Sequence, residues 1–275
     1  MTGAGTRSYN ETENSVLAVI RNAEVHAAGD VTLDAVDSTT ISATLVAAAA
    51  SVGVSGSGAS GALTVTVSDA DNDITNTTRA VIEGASTVES AGGNLRLDAS
   101  SDGSITATAI AASVGVGVGG GQVSLTGAGA GANATNAITN TIEAGVIGDS
   151  TVVVDGDAAI SATDTASVDS SVATASVAVT AGSSSVSLSL AAAVSVATNT
   201  IANDVQAHVL DSSLDAGGAL ELTATSDKSI EALGLAASVA VTAGSGTVSI
   251  SGAFGAAIAT NTIGGTVEAL IADAD

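Results

Sequence analysis

Three aspartates come closest to a chemical site in this sequence. Asp69, Asp71 and Asp73 alternate in the run SDADND, and alternating aspartates supply oxygen ligands in many calcium-binding loops. The run occurs in one place only, and it lacks the glycine and the distal glutamate of an EF-hand loop. Asp69, Asp71 and Asp73 are therefore candidate calcium ligands, and a solvated turn is the alternative explanation.

Catalytic residues are sparse. The sequence has two histidines, His26 and His208, and it contains neither a GxSxG nor an HExxH motif. The two histidines lie at different positions within the repeat, so they do not form a row. We expect both to be isolated surface side chains. The sequence predicts no enzyme, no catalytic residue and no cofactor, with calcium as the one possible ion.

Asparagines recur more regularly than any other polar residue. The leading asparagines are 62, 64, 63 and 62 residues apart, and a second asparagine follows four residues later in four of the five units. Gly265 takes the second place in the fifth unit. Buried amides need hydrogen-bond partners, which stacked asparagines give each other. The sequence predicts a structural asparagine ladder of Asn10, Asn72, Asn136, Asn199 and Asn261, with Asn14, Asn76, Asn140 and Asn203.

The asparagine spacing divides the chain into tandem units of about 63 residues. Residues 1–9 resemble the end of a unit, so we expect an excerpt of a longer array. The complete and partial units form one continuous array: repeat 1 (10–71), repeat 2 (72–135), repeat 3 (136–198), repeat 4 (199–260) and the start of repeat 5 (261–275).

Apolar residues alternate with polar or small ones throughout each unit, which is typical of β-strands. One unit has too few strands for a core of its own, so units must stack. The sequence predicts an all-β fold, a β-solenoid or β-helix with a core of Ala, Val, Gly and Ser. We expect the Val, Ile, Leu and Ala phase of every strand to lie inside.

Three windings fit the turn signals. Each unit could make three triangular coils of about 21 residues, or one wide flattened coil with two closely spaced sheets. A third possibility is an antiparallel hairpin closed by the Gly/Ser cluster of each unit, such as Ser55 to Gly61.

Charge limits the partners. The chain has 28 Asp and Glu against 5 Lys and Arg, a formal net charge of −23, which disfavours nucleic acid. Apolar runs are short and interrupted, so no membrane insertion is expected. The predicted partners are neighbouring repeats of the same chain, with possible self-association into fibres.

Four segments carry a resemblance to a known family: GDVTLDAVDSTTISA, GNLRLDASSDGSITA, GDAAISATDTASVDS and GALELTATSDKSIEA. Their glycine, alternating strand and polar turn resemble the repeats of large bacterial filamentous-haemagglutinin-type adhesins. The resemblance implies a β-helical stalk that is exported to the cell surface or beyond and serves adhesion, aggregation or biofilm structure. It supplies no catalytic residue.

These observations support three functional hypotheses. The first is a structural stalk or spacer segment of a large exported bacterial surface adhesin. The second is a subunit of a self-assembling extracellular fibre or sheath, joined through open solenoid ends or a repetitive Ala/Val face. The third is a calcium- or glycan-binding β-solenoid module.

Overall fold

Twenty-two β-strands form five sheets, and the computed structural model describes all residues from 1 to 275. Three sheets of short strands enclose one end of the molecule, which we call the head. The first head sheet contains β2 (Ser15–Arg21), β7 (Thr77–Glu83), β12 (Thr141–Ile147), β17 (Asp204–Leu210) and β22 (Val267–Ala272). The second contains β3 (Glu24–Ala27), β8 (Thr87–Ser90), β13 (Thr151–Val154) and β18 (Ser213–Ala216). The third contains β4 (Val31–Asp37), β9 (Leu95–Ser101), β14 (Ala158–Asp164) and β19 (Leu220–Ser226).

Two sheets of long strands form a flat extension, which we call the arm. The outgoing sheet contains β5 (Thr40–Ser55), β10 (Ser104–Gly119), β15 (Ser167–Gly182) and β20 (Ser229–Gly244). The returning sheet contains β1 (Thr2–Thr12), β6 (Ser60–Ile74), β11 (Val123–Ile138), β16 (Val186–Ala202) and β21 (Val248–Gly264). The Gly/Ser clusters form the turns at the tip of the arm, between an outgoing and a returning strand.

Every strand pairs in parallel with the equivalent strand one repeat away. Ser104, for example, pairs with Thr40 on one side and with Ser167 on the other. Each repeat is therefore one coil of the stack, and each coil adds about 4.8 Å of height. This confirms the predicted all-β solenoid and selects the single wide coil.

The other two windings are wrong. Three coils per unit would pair strands about 21 residues apart, whereas the observed partners are one full repeat apart. The hairpin fails because β5 and β6 run in opposite directions in different sheets, and the backbone of each pairs only with its counterparts in neighbouring coils. The two strands contact each other through side chains, as Ser51 Oγ and Thr64 Oγ1 do at 2.5 Å.

The head has a conventional aliphatic core of 21 buried residues, in which Ile82, Leu97 and Ile160 are among the largest. Tight corners connect the first and second head sheets. These corners place Asn22, Asp149 and Asp211 at positive φ, which Asn and Asp adopt more readily than other non-glycine residues.

The arm reverses the expected burial pattern over its outer part. Near the head its inner face carries Ile41, Ile74 and alanines, but farther out the inner residues are Ala, Ser, Thr and Gly. Thr64 and Thr66 are fully buried, whereas Leu63, Val65 and Val67 on the same strand are 40%, 46% and 50% exposed. The expectation that the large apolar phase lies inside every strand is therefore wrong here.

The narrow gap between the two arm sheets explains this reversal. Inner hydroxyls reach across the arm to backbone carbonyls of the opposite sheet: Thr64 Oγ1 donates to Val114 O at 3.0 Å, and Ser189 Oγ donates to Val241 O at 2.8 Å. A Cβ added to Gly115 would lie 2.8 Å from Gly127 O, inside van der Waals contact. Only small side chains fit between the sheets, so the larger ones of each strand face outward.

Candidate functional site

The leading asparagines form a continuous column of side-chain hydrogen bonds along the inner face of the returning sheet. In each step Nδ2 of one asparagine donates to Oδ1 of the asparagine in the next coil. The four steps are Asn10 to Asn72 at 2.7 Å, Asn72 to Asn136 at 2.8 Å, Asn136 to Asn199 at 2.7 Å and Asn199 to Asn261 at 2.9 Å. Because Asn72, Asn136 and Asn199 are almost completely buried, each amide depends on its neighbours for hydrogen bonding.

The second asparagines lie at the corner where the arm returns to the head, and they bond differently. Oδ1 of Asn76 accepts the backbone N–H of Asn14, and Oδ1 of Asn140 accepts that of Asn76, both at 2.8 Å. The same pattern links Asn140 to Asn203. A side-chain oxygen thus replaces the backbone acceptor that the chain lacks at this corner.

The Nδ2 groups of these asparagines, which take no part in the bonds to the backbone, point to the opposite corner, between the head and the outgoing strand. Asn76 Nδ2 donates to Asp37 Oδ2 at 2.7 Å, and Asn203 Nδ2 donates to Asp164 Oδ1 at 2.9 Å. Asp37 and Asp164 are buried, and serines occupy the equivalent position in the coils between and after them, Ser101 and Ser226. Alternation of Asp and Ser keeps two buried carboxylates out of adjacent coils, where they would repel each other.

Lys228 lies at the corner where the fifth asparagine is missing. Gly265 stands where the second asparagine would be, and the Lys228 ammonium donates to the backbone oxygens of Asn203 at 2.9 Å and Gly264 at 2.8 Å. Its Nζ also lies 3.9 Å from Asp164 Oδ2. These polar corners separate the head core from the arm core, so they act as a structural junction in every coil.

The candidate calcium ligands lie in a strand. Asp69, Asp71 and Asp73 alternate on the outer face of β6, while Ala70 and Asn72 point inward. The solvated turn is therefore wrong, because period-two alternation continues through this run. Asp69 is bound by Arg7 at 3.3 Å and by Asn133 Nδ2 at 3.0 Å, and nowhere in the chain are three or more His, Cys, Asp or Glu grouped to hold a metal ion.

The two histidines have different environments. His26 is exposed and bonds to Glu24 and Glu89, both at 2.9 Å, and these hydrogen bonds raise its pKa. His208 is buried, so the expectation of a surface side chain is wrong for this residue. Its Nε2 lies 3.0 Å from Glu143 Oε1, and its ring occupies space that Gly145 leaves open in the coil below.

Glu143 is the most strongly perturbed carboxylate. Burial raises its pKa, but hydrogen bonds from His208 and Arg79 outweigh burial and lower the pKa to about 2. Arg79 bonds both to Glu143 and, at 3.0 Å, to Glu83. This cluster ties three neighbouring strands of the first head sheet together through charged side chains on its outer face.

A shallow acidic depression of about 250 Å³ runs along the stacked corners between the first and second head sheets. Asp149, Asp211 and Asp273 occupy equivalent turn positions there, one per coil, and no cationic side chain lines the depression.

In the complete coils, the part of the arm that lies farther from the head carries no charged side chain. The four ranges that form its outgoing and returning halves contain no Asp, Glu, Lys, Arg or His: 38–68, 103–142, 170–203 and 232–267. With inner hydroxyls and outer Val, Leu, Ile and Phe, the arm presents two apolar surfaces beside a charged head. The sequence carries this signal as charge-free stretches, but only the burial phase shows that the apolar residues face out.

The returning sheet has a relief that the outgoing sheet lacks. Glycines at 127 and 129 form the floor of two adjoining grooves of about 440 and 540 Å³, with Leu63, Leu190 and Phe254 as walls. On the outgoing sheet the corresponding outer residues are mostly Val and Ala, without glycine until the tip.

Comparisons with protein-family models, curated proteins and solved structures gave no match to this chain. The structure contains no helix long and apolar enough to cross a membrane.

Proposed function

We propose that this chain is a structural stalk or spacer segment of a large exported bacterial surface adhesin. The observation that carries the proposal is the unbroken parallel register: strand pairing and the asparagine column continue from Asn10 to Asn261 without a change of winding. The sequence pattern of glycine, alternating strand and polar turn, which resembles haemagglutinin-type repeats, supports the exported, cell-surface setting.

The coil dimensions indicate what kind of spacer this is. One coil of about 63 residues adds only about 4.8 Å of height, whereas a 21-residue coil would add the same height with a third of the chain. The array therefore gains little length per residue and a broad cross-section instead. A broad section resists bending, so the proposed role is stiffness and surface more than reach.

Removal of one coil tests the modular role. Deletion of 136–198 removes one complete repeat and lets Asn72 meet Asn199, so we expect a cooperatively folded protein with β-type circular dichroism. Deletion of 141–160 removes β12, β13 and the first three residues of β14 from one coil and should abolish cooperative unfolding. Loss of folding in both variants would contradict modular stacking.

A second candidate is a subunit of an extracellular fibre or sheath, which the apolar outer faces of the arm favour. Exposed apolar surface of this extent is typical of association surfaces. Electron microscopy of the purified chain separates the two roles, because ordered filaments support the fibre subunit and monodisperse particles support the spacer.

A further inference from the structure

The returning sheet of the arm carries a checkerboard of large residues and glycines on its outer face. In the first coil Gly61 precedes Leu63, in the second Leu125 precedes Gly127, and in the fourth Ile250 precedes Gly252. The third coil has Leu188 and Leu190 at these positions. Since the two positions are two residues apart on the same strand, both side chains point outward.

We propose that this face, which we call the grooved face, packs against the same face of a second copy of the chain. The two copies would be related by a two-fold axis that runs parallel to the stack and passes midway between the two positions. Every coil then faces the same coil of the second copy. Each residue at one position faces the residue at the other position, so Leu125 lies over Gly127, Leu63 over Gly61 and Ile250 over Gly252.

Shape is the first argument for a second copy. A self-complementary surface must present knobs and matching holes that exchange places under a two-fold axis. The grooved face meets this condition in three of its four coils, and the glycine floor supplies the holes. Leu63, Leu125 and Ile250 are 40%, 48% and 54% exposed, so the knobs are available.

Charge is the second argument. With the axis parallel to the stack, the arms overlap in opposite directions and the acidic heads lie at opposite ends of the pair. The overlapping segments contain no charged residue, so no carboxylate is buried and the two heads do not approach each other. A two-fold axis parallel to the strands would instead place both heads side by side, where charges of the same sign repel.

Area is the third argument. The overlap is about eight residues long on each strand, at about 3.3 Å per residue, and four coils high, at about 4.8 Å per coil. This gives a contact of roughly 500 Å² per copy. Standard protein interfaces bury about 800 Å² per partner, and weak ones bury less. We expect a concentration-dependent dimer for this chain and tighter pairing for every added coil.

The pairing does not depend on the spacer role. It specifies the lateral contact that a fibre or sheath would use, and a discrete dimer without filaments would support the pairing while it removes the fibre candidate.

Sedimentation and light scattering of the 275-residue chain, from micromolar to about 100 µM, test the proposal. Leu125→Asp puts a carboxylate over the glycine floor and should shift the dimer to monomer, with at least a tenfold weaker association. Val239→Asp is the matched control, because Val239 is 50% exposed on the opposite face of the arm. This control should remain dimeric.

Gly127→Val provides a test without charge. It fills the hole on the grooved face, and its Cβ would meet only the flexible end of Leu63 at 2.8 Å, so the chain should fold and pair more weakly. X-ray scattering of the dimer should show an elongated particle with a head at each end and the overlapping arms between them. Circular dichroism of each variant confirms that the fold is intact.

Several outcomes would overturn the proposal. They are a chain that stays monomeric throughout this range, a dimer that survives Leu125→Asp, and equal loss of pairing in Leu125→Asp and Val239→Asp. Flotation of monomeric chain with phosphatidylcholine vesicles would identify lipid as the occupant of the apolar arm and would equally overturn it.

Discussion

Asn136 donates from Nδ2 to Oδ1 of Asn199 at 2.7 Å, across two coils whose backbones are already paired at the same residues. Its own Oδ1 accepts a hydrogen bond from Asn72 at 2.8 Å. The column therefore couples each coil to both neighbours at one buried position. A shift of register by one residue would turn these amides outward and break every link of the column.

Asn136→Ala should lower stability substantially. It leaves Asn72 Nδ2 and Asn199 Oδ1 buried without partners, and each orphaned group costs about 1–3 kcal/mol. Asn133→Ala is the control, because Asn133 lies on the outer face and bonds to Asp69 there; its loss should cost less than about 1 kcal/mol. Urea denaturation measures both, and equal effects would contradict a structural role of the column.

The hydroxyls inside the arm give predictions of opposite sign. Thr64 Oγ1 bonds to Ser51 Oγ and donates to Val114 O, so Thr64→Val should destabilise the chain by about 1–2 kcal/mol. Ser113 Oγ is buried without a partner. Ser113→Ala removes an unsatisfied hydroxyl and should be neutral or stabilising, and thermal melts of the two variants measure both effects. If both variants lost the same stability, cross-arm hydrogen bonds would not explain the polar interior.

Glycine substitutions test how closely the arm sheets approach each other. Gly115→Ala places a Cβ 2.8 Å from Gly127 O and 3.1 Å from Thr126 Cγ2, and overpacking of this kind costs about 1–3 kcal/mol. Gly131 has nothing within 4 Å of an added Cβ. Gly131→Ala should therefore leave stability unchanged or raise it by about 0.4–1 kcal/mol. A melting temperature for Gly115→Ala at or above that of Gly131→Ala would show that the gap between the arm sheets at Gly115 is wide enough for a Cβ.

The sequence is sufficient to predict the solenoid because its strongest signals are local or periodic. The spacing from Asn10 to Asn261 shows that units repeat, and the alternation around Val31 and Leu33 gives the head strands and their inner face. The sequence leaves the winding open, because the Gly/Ser turn at the arm tip suits a hydrogen-bonded hairpin and a face-to-face pair equally well.

The arm shows why the burial phase could not be predicted from hydropathy. In the segment Leu63 to Val67 hydropathy favours the valines as the inner side chains, yet Thr64 and Thr66 lie inside. Alternation continues outward from Ile74 and Asn72, which the head and the column hold inward, so the phase is set at a distance. The same nonlocal cause buries His208, because its space depends on Gly145 in another coil.

Acid titration tests the charged cluster around Glu143. The folded-state pKa of about 2 lies below the ordinary value of 4.5, so the ionised carboxylate contributes stability that is fully present above pH 4.5. This contribution is lost as the pH falls through about 2, and a shift of this size corresponds to about 3 kcal/mol. The difference in unfolding free energy between the native chain and Glu143→Gln should be about 3 kcal/mol or less at pH 5 and should shrink towards pH 2. His208→Leu removes one of the hydrogen bonds that lower the pKa, and Leu270 already occupies the equivalent position in the next coil. This variant should move the loss of stability to higher pH. A difference that does not change with pH would show that the Glu143 carboxylate is not held ionised by Arg79 and His208.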